Sequence, residues 1–220
     1  MKKGLVVLFF VSVSVSAYAG IPVWLNIESG VKGAVGGDLW VAADNSPSNS
    51  NNPFTETTGG FAGEVGPFVE LRFIKFIALD MEFLFGWDQI KAKDTIGGID
   101  YKYSAKSFNF KLPILLKGVL PLPGVKLSLG TGPILEFPIS GNDIVQSNTK
   151  YKEKTKFSVL WAAEIGIDVK LNKHFRLPFN LRASYNLSQP SSYNDRINNG
   201  SMTYQNTWEF RLLLGVAYEL

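Results

Sequence analysis

Residues 77–87 read IALDMEFLFGW, and they alternate. Ile77, Leu79, Met81, Phe83, Phe85 and Trp87 fall on one side. Ala78, Asp80, Glu82, Leu84 and Gly86 fall on the other, with Asp88 next in phase. Successive side chains of a strand point to opposite faces, so this period of two marks a strand with one unbroken apolar face and one acidic face.

Working outward, the same alternation predicts seven more strands, over Leu25–Val41, Phe61–Phe73, Phe108–Lys117, Val125–Ile139, Phe157–Leu171, Phe175–Leu187 and Tyr204–Leu220. Each sets large apolar residues against polar ones; Phe108, Phe110, Leu112, Ile114 and Leu116, for example, oppose Asn109, Lys111 and Lys117. In the first strand Glu28, Lys32 and Asp38 take the polar side, and in the last Glu219 does. The joints alternate in length. Ile74-Lys75, Gly118–Gly124 and Asn172–His174 are short; Ala42–Gly60, Lys91–Lys102, Ser140–Lys156 and Ser188–Thr203 are long and polar. An even number of strands, with short turns on one rim and long loops on the other, is the layout of an outer-membrane barrel whose short turns are periplasmic.

The polar face decides which side meets lipid. A soluble sandwich turns its apolar faces inward and its polar faces to water. Here five to seven large apolar residues fall on one face of each strand, and polar or charged residues on the other. Eight strands enclose a lumen that side chains just fill, so charges placed there can pair while the apolar face meets hydrocarbon and closure satisfies the backbone. Ten steps from Ile77 to Trp87 cover about 33 Å, and a tilt near 40° projects this to about 25 Å, the height of the apolar band. The expected fold is therefore all-β, an eight-stranded antiparallel up-and-down transmembrane barrel. Aromatics support two interfacial girdles. Trp40, Phe61, Trp87, Tyr101, Tyr103, Phe157, Trp161, Tyr185, Tyr204 and Trp208 lie toward the long loops, and Phe73, Phe76, Phe175 and Tyr218 toward the short turns.

The first segment is an address. Lys2 and Lys3, the apolar run Gly4–Val15 and Ala17-Tyr18-Ala19 are the three parts of a secretory signal peptide, and the run is too short for a membrane-spanning helix. Cleavage is expected after Ala19, giving a signal peptide over 1–19 and one barrel domain over 20–220. Loss of Lys2 and Lys3 lowers the formal net charge from +3 to +1, and no Lys/Arg cluster with interleaved aromatics remains, so nucleic acid is not an expected partner. The 220 residues contain no Cys, which excludes disulfide scaffolds, thiol nucleophiles and Cys-held zinc.

Three segments carry a resemblance. GVKGAVGGDLWV at 30–41, FNFKLPILLKGVL at 108–120 and LSLGTGPILEF at 127–137 resemble the first, fourth and fifth strands of the small outer-membrane β-barrel proteins of the OmpX/OmpA-like porin superfamily. Gly215, Tyr218 and Leu220 are similar to the C-terminal signal read by the barrel-assembly machinery; Leu220 departs from the usual Phe, and Leu213 stands where that signal prefers a polar residue. The resemblance implies a Gram-negative-type outer membrane, with its lipid and lipopolysaccharide and the assembly machinery as partners. It implies roles as varied as adhesion, envelope integrity and small pores.

Residue types that carry chemistry are few and scattered. A Ser–His–carboxylate site needs its members side by side, and the single His174 lies in an expected turn between Lys173 and Phe175. Asp80, Glu82, Glu64 and Glu70 could form an acid/base pair; balanced against basic residues in a narrow lumen, they read better as structural. The expected lumen charge network is Glu64, Glu70, Arg72, Asp80, Glu82, Lys111, Lys117, Lys126, Glu136, Glu164, Asp168, Arg176, Arg182, Glu209 and Arg211. Glycines at 59, 60, 63, 66, 130 and 132 precede no helix, which removes a phosphate loop. Asp143 and Asp195 lack calcium-loop spacing. No catalytic residue, cofactor or metal is expected. ADNSPSNSNNPFTETTGG at 43–60 and NTKYKEKTK at 148–156 are candidate contacts for an extracellular ligand or host surface. The function expected is a non-enzymatic barrel presenting surface loops, monomeric; the alternative is a narrow channel for small solutes or ions.

Overall fold

The computed structural model describes residues 25–42, 58–96, 99–146, 149–152, 157–188, 191–195 and 200–220. They form eleven strands: β1 Leu25–Ala42, β2 Thr58–Phe73, β3 Ile77–Glu82, β4 Leu84–Ile96, β5 Ile99–Leu122, β6 Val125–Gln146, β7 Thr149–Lys152, β8 Ser158–Lys170, β9 Phe175–Asn186, β10 Ser191–Asp195 and β11 Gly200–Glu219. β3 and β4 make one wall of the barrel, interrupted at Phe83. The cause lies opposite: Phe83 N donates to Pro67 O at 2.9 Å, but proline has no N–H to return. Among the described residues, short β7 pairs only with β6, and β10 only with β11.

The remaining walls pair antiparallel in the order β1, β2, β3/β4, β5, β6, β8, β9, β11 and back to β1. This is a closed eight-walled barrel. At the closing seam Glu28 faces Glu219 and Ala42 faces Tyr204, and Leu220 N adds a bond to Ile27 O. Closure leaves no sheet edge among these walls, the condition for strands in hydrocarbon.

The phase of every expected strand holds. Leu129 is 66% exposed and Val65 55%, whereas Lys32 is 2% and Glu82 0%. Large apolar groups outside and charges inside invert the order of a soluble protein. Outward aromatics touch in a row around the wall, Phe85–Phe110–Phe137–Phe157, with centroids 5.1–6.2 Å apart. Phe61 with Trp87 and Tyr185 with Trp208 extend the girdle. The side chains of Trp40, Tyr101, Tyr103 and Tyr204 lie outside those described, as do residues 1–24, where the signal peptide is expected, and most of the segment 43–60.

Two expectations about connections are corrected. The short joint expected over Gly118–Gly124 is shorter still: β5 continues to Leu122, which faces Val125 across Pro123-Gly124. Gly124 has φ +80°, and proline followed by left-handed glycine is the residue order of a type II turn. At the other rim the described residues of three expected loops, 91–102, 140–156 and 188–203, are largely strand. β4 runs to Ile96 and β5 starts at Ile99, so 91–102 is mostly a paired hairpin, and β6 extends through Gln146 toward β7. Above the lipid band the apolar stripe ceases while backbone pairing continues. Of the remaining short turns, 74–76 carries two left-handed residues, Ile74 and Lys75. At 172–174, Asn172 Oδ1 accepts from both His174 N and Phe175 N at 2.9 Å.

Candidate functional site

The lumen is where the charged side chains converge, and they form three tiers along the barrel axis. The central tier alternates three cations with three carboxylates. Lys32 on β1 reaches Asp80 at 2.7 Å and Glu82 at 2.5 Å on β3. Lys117 on β5 bonds Asp80 at 2.5 Å and Glu164 on β8 at 2.9 Å. Arg182 on β9 ties Glu164 at 2.5 Å to Glu82 at 2.7 Å. The ring closes on itself across the barrel, all six side chains 3% exposed or less. Lys32 also lies over the Phe68 ring, 4.2 Å from its centroid. Oxygens of Asp80, Glu82 and Glu164 sit within 4.8 Å of one another, close enough to hold a metal ion. Lys32, Lys117 and Arg182 supply the positive charge to all three.

The outer tier lies toward the long-loop rim. Lys111 bridges Glu64 at 2.9 Å and Glu209 at 2.7 Å. Arg211 bonds Asp38 at 2.6 Å and Glu64 at 2.8 Å, with Glu209 at 3.3 Å and Asp88 at 3.6 Å. Asn109 Nδ2 donates to Asp88 and to Glu136, both at 2.6 Å. Glu136, expected in the ion-pair network, is thus held by neutral donors, Asn109 and Ser158. Five carboxylates meet two cations here, and Asp38 Oδ2 and Asp88 Oδ1 are buried with no hydrogen-bond partner among the described residues.

The inner tier lies toward the short turns. One oxygen of Glu28 gathers Arg72 at 3.2 Å, Lys126 and Arg176. Arg72 also bonds Glu70 at 3.1 Å and Glu219 at 3.4 Å, and Arg176 bonds Glu219. Asp168 is buried opposite Lys126 in the ladder. Like charges stand side by side on neighbouring strands, as Glu219, Glu28, Glu70 and Asp80 do on β11, β1, β2 and β3. Like neighbours repel, so the tier holds only through cations reaching over from β2, β6 and β9.

All fifteen expected network residues face the lumen side of their strands, and the structure adds Glu28, Lys32, Asp38, Asp88, Asn109, Asn180 and Glu219. Each added residue keeps the polar phase of its strand, so the signal for them was present. An apolar pocket of the lumen, Leu115, Ile134, Leu160 and Ala162, had no counterpart in the sequence reading. His174 sits exposed in its turn, stacked 5.3 Å from Tyr218, with Nδ1 3.2 Å from Glu219 O. Of the C-terminal trio, Tyr218 packs on His174 and Phe175, Leu220 N bonds the seam, and Gly215 lies against Val31 O and Lys32.

A closed barrel with this inside-out polarity has relatives. The family model described as outer membrane protein beta-barrel domain matches residues 16–192. The chain belongs to that family. Among solved structures, outer membrane protein OprG from Pseudomonas aeruginosa is similar to it at 14% identity, over 89% of this chain and 95% of OprG, with a TM-score of 0.53. That likeness shows the same barrel fold. Neisserial surface protein A (NspA) aligns at 11% identity over 88% of this chain and 96% of its own, with a TM-score of 0.42. A major outer membrane protein from Thermus thermophilus aligns at 15% identity over 87% of this chain and 99% of its own, with a TM-score of 0.43. No curated protein sequence matches the chain.

Proposed function

We propose that this member of the outer-membrane barrel family is a non-enzymatic scaffold whose lumen is closed by its own side chains and whose activity lies at the long-loop rim, in envelope integrity or binding. The carrying observation is the central tier: Lys32, Lys117 and Arg182 lock onto Asp80, Glu82 and Glu164 from five strands, wall to wall. Each charge there has two or more partners, and separating such a buried pair costs about 3–5 kcal/mol. A solute cannot pass without breaking several. The same reading takes residues 1–19 as a cleaved signal, Gly215, Tyr218 and Leu220 as the assembly signal, and the 43–60 and 148–156 segments as the surface offered to lipopolysaccharide or a host ligand.

A narrow pore is the competing reading. The outer tier favours it, because its five carboxylates against two cations, with Asp38 Oδ2 and Asp88 Oδ1 accepting no hydrogen bond among the described residues, would draw a cation into the outer lumen. Swelling of liposomes holding the folded protein separates the two. Swelling in glycine or arabinose no faster than in protein-free liposomes supports the scaffold; faster swelling, size-limited by solute, supports the pore and rejects the closed lumen.

A further inference from the structure

At the short-turn rim the inner tier opens into a cavity of about 740 Å³, walled by the 74–76 and 123–124 turns. Its floor is cationic and built. Arg72, Lys126 and Arg176 are 8%, 3% and 9% exposed, and all three share one Glu28 oxygen. Lys75 and Lys170 stand exposed at the mouth. Glu219 is the one carboxylate among the lining residues; Glu28, Glu70 and Asp168 lie beneath. Arg72 Nε is buried with no hydrogen-bond partner among the described residues. Above this floor the wall turns apolar. Leu25, Ile74, Phe76 and Leu122 line it, with Ile74 69% exposed and Phe76 56%. A cavity that is cationic below and apolar above fits a ligand of the opposite build.

We propose that this vestibule binds an amphiphilic anion: a carboxylate or phosphate headgroup on the Arg72, Lys126 and Arg176 floor, with a short acyl chain along Ile74, Phe76 and Leu122. The headgroup would gain charge-assisted bonds from donors that now converge on one Glu28 oxygen, with Arg72 also on Glu70 and Glu219 and Arg176 also on Glu219. The chain would cover apolar surface otherwise facing water. The site is separate from the surface loops and does not depend on whether the central tier conducts.

The test is a titration of the isotope-labelled protein in zwitterionic-lipid nanodiscs, followed by backbone amide shifts. The probes are octyl phosphate, octanoate, inorganic phosphate and octyltrimethylammonium. Octyl phosphate and octanoate are expected to give saturable shifts confined to residues 72–76, 121–126 and 170–176. Inorganic phosphate should bind at least tenfold more weakly, and the cationic amphiphile should give no saturable shift there. Lys75→Glu with Lys170→Glu changes two exposed side chains and leaves the buried floor intact; it should weaken octyl phosphate tenfold or more. Phe76→Ser should weaken the amphiphiles and leave inorganic phosphate unchanged. Equal affinity for inorganic phosphate, equal response to the cationic amphiphile, undiminished binding by the folded double variant, or no saturable shifts in the folded wild type would each overturn the proposal.

Discussion

Arg182→Leu removes one of the three cations of the central tier. Its guanidinium bonds Glu164 through Nε at 2.8 Å and through Nη2 at 2.5 Å, and Glu82 through Nη2 at 2.7 Å. After the change Glu82 keeps Lys32, and Glu164 keeps Lys117 and the Asn180 amide. The tier nonetheless carries one carboxylate too many, fully buried, and the expected loss of stability is about 3–5 kcal/mol. Glu82→Leu errs the other way, leaving one cation too many at similar cost. The double variant Glu82→Leu with Arg182→Leu leaves Lys32 and Lys117 against Asp80 and Glu164, a balanced set with every charge still paired. It should cost less than either single change, with a coupling energy of at least ~2 kcal/mol. Urea unfolding in lipid vesicles, read by tryptophan fluorescence and by gel migration without boiling, measures all three. Additive losses, or a single Arg182→Leu loss below about 1 kcal/mol, would refute the reasoning that these ions hold one another across the lumen.

Other predictions follow from the same polarity and packing. Leu181→Arg, placed on the lipid face at a residue 54% exposed, should cost about 2–4 kcal/mol in vesicles, and little loss would mean that this face does not meet hydrocarbon. Gly132→Ala sets a Cβ 2.1 Å from Ile114 O of the neighbouring strand, so about 1–3 kcal/mol should be lost; Gly118→Ala, whose Cβ meets only Leu129 O at 3.9 Å, should be silent by the same unfolding assay. Tyr218→Ala should slow insertion by the purified assembly machinery several-fold while the spontaneously refolded protein loses about 1 kcal/mol or less, as expected for one rim aromatic contact. Insertion at the wild-type rate would remove Tyr218 from the assembly signal.

The barrel was legible because its evidence is repetitive. Eight segments share one period, and the carboxylates and lysines of each, such as Asp80, Glu82, Lys111 and Glu164, keep one phase. That phase says which face is lumen. Strand ends were less legible. Residues 91–95 read KAKDT, polar on both faces, so no apolar stripe on that arm marked the hairpin that the backbone in fact continues there. In the opposite sense, Gly118 and Pro121 looked like loop residues yet lie within β5, because closure supplies their neighbours from β3 and β6. The partners within the lumen were not legible at all. Arg182 and Glu82 stand 100 residues apart, and the stagger of the closed sheet brings them together. Lys32 shows the limit most clearly. Its polar phase was evident in β1, but its place at the centre of the network follows only from the fold. The inward-facing Leu115, Ile134 and Leu160 occupy the polar phase and fill space between tiers, a choice dictated by volume rather than by alternation.

The most direct test of a self-plugged barrel is single-channel conductance of the refolded chain, residues 20–220, in a planar bilayer, beside a Glu82→Ala, Arg182→Ala double variant, which removes side-chain volume from the central tier. The account predicts silence from the wild type, shown to be folded by its faster migration unboiled, and ion-conducting steps only where the central tier has been thinned. Steady, reproducible steps from the wild type, unchanged in the double variant, would contradict it.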